Sequence, residues 1–176
     1  MENRRSHLFA IVIGLMDGIL TALALAAARI ISSGDPITLD LAVRISSGAA
    51  ISGLFIFFVA EYTRQRTELV SAEMHLRLSS EGKLAVGALG KAAFNRAVRG
   101  AAISGVCSFM GALLPLLPAA LFPRLAWLAL VAAFLALAAL GIGLARVASA
   151  SPIKWAVGLL VIGGVLAFIG NWLHIV

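Results

Sequence analysis

The stretch LFAIVIGLMDGILTALALAAARII, residues 8–31, decides what kind of protein this is. A helix needs about 20 predominantly apolar residues to cross the hydrocarbon of a bilayer, and this run is long enough. One residue does not belong. Asp17 places a carboxylate at the centre of the run, where it costs roughly 2.5–3.5 kcal/mol on insertion scales. Packing alone does not call for such a residue, so Asp17 is the first candidate for chemistry.

The rest of the chain has the same character. Of its 176 residues, 61% are hydrophobic and 12% charged, with a mean hydropathy of +1.04. A soluble domain of this length cannot cover that much apolar surface. Five runs are long enough to span: 8–31, 41–60, 100–121, 125–147 and 153–175. The first has features of a signal peptide, with Arg4 and Arg5 before it and small residues near its end. It is longer than the roughly 7–15 residues of a signal h-region and carries Asp17, so it reads as a retained span.

Basic residues set the expected orientation. With the N-terminus in the cytoplasm, Arg4, Arg5, the basic residues of the segment 61–99, Arg146 and Lys154 all lie inside. Only Arg29, Arg44 and Arg124 of the 14 Lys and Arg fall on the far side. The expectation is an all-α integral membrane protein with five transmembrane helices, N-terminus cytoplasmic and C-terminus outside. It forms one membrane domain over 1–176, with a cytoplasmic helical loop at 61–99. The net charge of +6 is then mainly a topology signal, and a basic inner face suits anionic lipid. Few Trp and Tyr argue against a nucleic-acid stacking surface.

Between the spans, Gly34 and Pro36 break the chain after span one. Span two continues as helix into EYTRQRTELVSAEMHLRL, where Glu73 and Arg77 are spaced i,i+4. The following EGKLAVGALGKAAFNRAVRG, rich in glycine, reads as a short interfacial helix. PLLPAALFPR reads as a proline-rich outer turn. Gly14 and Gly18 flank Asp17 at small-xxx-small spacing, and Ser104, Ser108 and Ala112 form a second small row; such rows let helix backbones approach. Trp127, Trp155 and Trp172 lie near span ends, as interface anchors do. Cys107 has no second Cys to pair with in the chain.

Four segments together resemble the vacuolar iron transporter family: GLMDGILTALALAA (14–27), ISGLFIFFVAEYTRQRTEL (51–69), AAISGVCSFMGALLPLLPAA (101–120) and PIKWAVGLLVIGGVLAFIGNWL (152–173). The DG of span one, the EY closing span two and SFMGALLPLLP in span three are the specific pieces. The resemblance implies a five-helix unit forming a two-fold homodimer, whose first helices line a central path. It also implies export of divalent iron, or manganese, from the cytosol against proton entry. The chain departs from the family in two places. The family usually carries a Met on the pore side of span two where this chain has Phe57, and a phenyl ring cannot replace a soft thioether ligand. Many relatives also insert a longer Glu-rich cytoplasmic domain, whereas here only 61–99 separates spans two and three.

The candidate metal residues are Asp17, Glu61, Glu68, Glu73, Met74 and His75, with Glu81 beside them. A carboxyl oxygen at Asp17 can hold a proton or a divalent cation in turn, which is what antiport needs. The alternative is a buried Asp bonded to a hydroxyl such as Thr21, one turn along. Glu61 matches the family's EY and stands where ions would enter; it is equally a solvated helix-end residue. Oxygen ligands with one imidazole suit Fe²⁺ or Mn²⁺. However, Glu68 and Glu73 lie on different helix faces, and a charged solvated helix explains the cluster as well. No Walker loop, nucleophile triad or haem signature occurs, so neither an enzyme nor an ATP-driven pump is expected, and no cofactor beyond the transported ion. The expected partners are a second copy, lipid, divalent metal and protons. The expected location is the inner membrane of a bacterium or a vacuole-like membrane of a eukaryote. The competing reading is a membrane scaffold that keeps the helices and has lost the path.

Overall fold

The computed structural model describes residues 2–29, 37–75, 87–122, 125, 127–147 and 151–172. Among the described residues the fold has five helices: α1 Glu2–Ala28, α2 Leu39–His75, α3 Ala88–Leu121, α4 Leu128–Val147 and α5 Pro152–Trp172. Each contains a segment long and apolar enough to cross a membrane. Helices satisfy their own backbone, as hydrocarbon requires.

Helix α1 touches all four others, and α3 packs along both α1 and α2. Helices α4 and α5 pair and close the far side of α1. The core is unusually rich in alanine: Ala22, Ala26, Ala42, Ala49, Ala112 and Ala119 sit around Leu116, while Leu23 and Leu137 join α1 to α4. Large side chains point outward instead. Phe55, Ile56 and Val59 of α2 and Ile153, Phe168 and Trp172 of α5 are all exposed. This inside-out pattern suits a lipid surround, where van der Waals fit between small residues drives helix association.

The two small-residue rows seen in the sequence are the two sides of one seam. A Cβ added to Gly14 would lie 2.9 Å from Cys107 Cβ and also strike the Ser104 carbonyl. One added to Gly18 would lie 2.8 Å from the Ala112 nitrogen and strike the Ser108 carbonyl. From the other side, one on Gly111 would come within 2.6 Å of the Leu15 carbonyl oxygen. Backbone meets backbone over two turns, at a closeness only glycine permits.

Two expectations need correction. Of the expected interfacial helix, residues 81–86 lie outside the described residues, and residues 88–100 are the first turns of α3, continuous with span three. The PLLPAALFPR segment is not a turn from its start, because Pro115 and Pro118 lie inside α3 and the helix ends at Leu121. Proline breaks helices in water, but buried in a membrane bundle it is tolerated where neighbouring helices support the backbone. Pro115 is indeed buried. The extension of span two is as expected, running to His75.

Candidate metal path

Asp17 lies where α1, α2 and α3 meet. The glycines on either side draw α1 onto α3, so its half-buried carboxylate reaches α3 directly. Ser108 Oγ stands 2.9 Å from Asp17 Oδ2 and 2.9 Å from the Ala49 carbonyl oxygen of α2. A Cβ on Gly53 would lie 3.2 Å from Asp17 Oδ2, so α2 is also pressed close. The hydroxyl partner is therefore Ser108 from a distant helix, not Thr21. A hydroxyl has one proton to give. When Asp17 carries a proton, it can donate to Ser108, which donates on to Ala49. When Asp17 is ionised, Ser108 can turn its proton to the carboxylate. The same three oxygens accommodate both states, and the carboxylate is the natural anchor for a hard cation.

One turn along α3 lies Ser104, fully buried, its hydroxyl without a hydrogen-bond partner among the described residues. Burying such a group unpaired costs about 1–3 kcal/mol. In the sequence Ser104 and Ser108 read as packing residues. Their matching to Gly14 and Gly18, four residues apart in both rows, was the available signal that they face the Asp17 helix.

A second polar region opens at the other end of the buried face of α2. A cleft of about 490 Å³ is lined by His7, Glu61, Arg64, Gln65, Glu68, Arg96, Arg99 and Gly100, among others. Glu61 is only 5% exposed, and its carboxylate is fully engaged. Arg64 grips it with two bonds, Nε to Oε2 at 3.1 Å and Nη2 to Oε1 at 2.7 Å, and Gln65 Nε2 donates to Oε1 at 2.6 Å. The other arm of Arg64 donates to Glu68 Oε1. Glu61 and Glu68 thus share the cleft, as their spacing predicts, but Arg64 stands between them. A cation would have to displace it or coordinate outside it. Tyr62, the second residue of the EY pair, stacks on Phe58 and meets Phe94 edge-on, tying α2 to α3 beside the cleft.

Glu73, Met74 and His75 close α2, but their side chains lie outside the described residues, as does Glu81. Among the described residues, no three His, Cys, Asp or Glu gather as a metal cluster. Asp17 and Glu61 belong to different places: Gly53, beside Asp17, and Glu61 are eight residues apart, roughly 12 Å along a helix. His7 was not singled out from the sequence. It reaches the cleft because α1 begins well before its apolar run, at Glu2.

The profile of the VIT family matches residues 57–173. The chain belongs to the vacuolar iron transporter family. The match runs from Phe57 in α2 through α3, α4 and α5, and α1 with Asp17 precedes it. No curated protein matches the chain. Membership makes this VIT protein an integral membrane protein of metal-ion transport, in a family of transporters and not of enzymes.

Proposed function

We propose that this VIT protein exports Fe²⁺ or Mn²⁺ from the cytosol in exchange for protons, as a two-fold homodimer. The observation that carries the reading is Asp17, a carboxylate set at a three-helix junction beside Ser108, with oxygens arranged to take a proton or a cation. The distribution of basic residues supports a cytoplasmic N-terminus, which makes the Glu61 cleft the cytosolic entrance. Asp17 is only half-buried within one copy. That suits a dimer in which two Asp17 side chains face each other across the axis. Glu61 and Glu68, with Glu73, Met74 and His75 further along α2, would collect cations before the path. Its place would be the inner membrane if the cell is bacterial, or a vacuole-like membrane if it is not.

The test is uptake of radioactive iron and manganese into proteoliposomes with and without a proton gradient. The native protein is expected to show metal uptake that rises with the gradient, and Asp17→Ala to abolish it while keeping the monodispersity of the parent. Full transport by Asp17→Ala would overturn the mechanism. Native protein that moves neither metal under either gradient would favour a scaffold.

A further inference from the structure

The buried face of α2 runs in order through Ala49, Gly53, Phe57 and Glu61. Ala49 and Gly53 border Asp17 and Ser108, and Glu61 lines the cleft. Phe57 stands between them, 2% exposed, in a cluster with Ala10 of α1 and Ala101 of α3. Its ring occupies a notch at Gly100. A Cβ added there would lie 2.5 Å from the ring's Cε1 and 3.2 Å from its Cζ. Gly100 itself lines the cleft, so the ring lies directly behind that part of the cleft's wall. Past it toward Asp17, polar groups begin again with the Ser104 hydroxyl, which has no partner among the described residues. Phe57, the buried aromatic of a cluster that Ile13, Phe58 and Ile103 also pack against, thus lies between two polar regions that share one helix face.

We infer that Phe57 is a hydrophobic plug, seated in the Gly100 notch, which closes the cleft off from the Asp17–Ser108 junction and must leave the notch before a hydrated cation can pass. Apolar constrictions of this kind gate by excluding water, and they need no charged lock. Glycine at 100 is what gives the ring a seat: a methyl group there would push the ring off its place. The physiological meaning rests on the transport reading, but the barrier itself does not.

The test uses the chain's single cysteine to advantage. Replacing Cys107 by Ser leaves no thiol, and Ser108→Cys then puts one reporter beside Asp17. The rate of modification by a cationic methanethiosulfonate is measured on purified protein in lipid nanodiscs. With Phe57 present, modification is expected to be slow. Phe57→Ala is expected to speed it by about tenfold or more, and Phe57→Leu, which keeps an apolar plug, to leave it near the parent rate. Because Phe57→Ala also hollows the cluster with Ala10 and Ala101, Gly100→Ala is the second variant. It keeps the ring but removes its seat, and is expected to label faster as well. Size-exclusion profiles and thermal melts identify which variants are folded. An unchanged rate in folded Phe57→Ala, or in Gly100→Ala should the former fail to fold, overturns the plug. The transport assay on the native protein is read separately. Phe57-dependent labelling without metal flux keeps the plug and sinks the transporter, and flux without Phe57-dependent labelling does the reverse.

Discussion

Replacing Gly18 by alanine adds one methyl group, and the seam between α1 and α3 fixes where it goes. It would strike the Ser108 carbonyl and stand 2.8 Å from the Ala112 nitrogen, when ordinary contact begins at 3.4 Å. Even the milder of these clashes asks the helices to part by about 0.6 Å, the difference of those two distances. Both obstacles are backbone, so no side chain can swing aside. Overpacking of this kind costs about 1–3 kcal/mol. For a chain of this size each kcal/mol lowers the melting temperature by roughly 2–4 °C, so the expected fall is about 2–12 °C. Ser108, whose carbonyl is struck, also holds the hydrogen bond to Asp17, so transport should fall with stability. The assay is thermal unfolding in detergent, monitored by tryptophan fluorescence, beside metal uptake. Gly48 and Gly164 are the controls: an added Cβ at either meets nothing within 4 Å. Alanine there should leave the melting temperature unchanged or raise it, since glycine is about 1 kcal/mol the poorer helix former. A Gly18→Ala protein as stable as these controls would refute the close seam.

Ser108→Ala removes the hydroxyl that stands between Asp17 and the Ala49 carbonyl. Only one of the two bonds is donated at a time, so stability should drop by about 0.5–1.5 kcal/mol, with a clear loss of metal flux; intact flux would take Ser108 out of the site. Arg64→Gln should strand the buried Glu61 carboxylate. A fully buried pair loses about 3–5 kcal/mol when one partner goes, and an exposed one about 0.2–1. Arg64 is 54% exposed and Glu61 5%, so the expectation lies between, at about 1–3 kcal/mol. Adding Glu61→Gln should recover most of it, and a double variant no more stable than Arg64→Gln would show that the pair contributes little.

Hydropathy alone made the five helices legible, because a membrane span is a matter of length and composition. Asp17 was legible for the opposite reason: it violates that composition. Its partner was not, because Ser108 lies 91 residues away and is brought near by a seam that exists only after the helices pack. The Glu61 network shows a different gap. Arg64 is three residues from Glu61 and four from Glu68, a spacing at which helical side chains meet, yet the acids drew attention as ligands and the cation between them did not. Pro115 and Pro118 suggested a turn because proline's effect depends on the surrounding solvent, which local sequence does not state. Phe57 was visible only as a missing thioether. That its ring fills a specific notch depends on Gly100, forty-odd residues on in another helix.

The backbone seam also gives the molecule a rigid frame. Carbonyls of α3 sit in the glycine slots of α1, and a carbonyl of α1 sits in the Gly111 slot of α3. A slide of less than a full turn would drive side chains into backbone on both sides, so α1 and α3 travel as one plate with Asp17 fixed in it. Helix α2 is keyed to the same frame, since a Cβ on Gly53 would lie 2.9 Å from Ser108 Cβ and one on Gly105 3.1 Å from the Ala50 carbonyl oxygen, so the three helices around Asp17 form one packed unit and α5 is the loosely covered element.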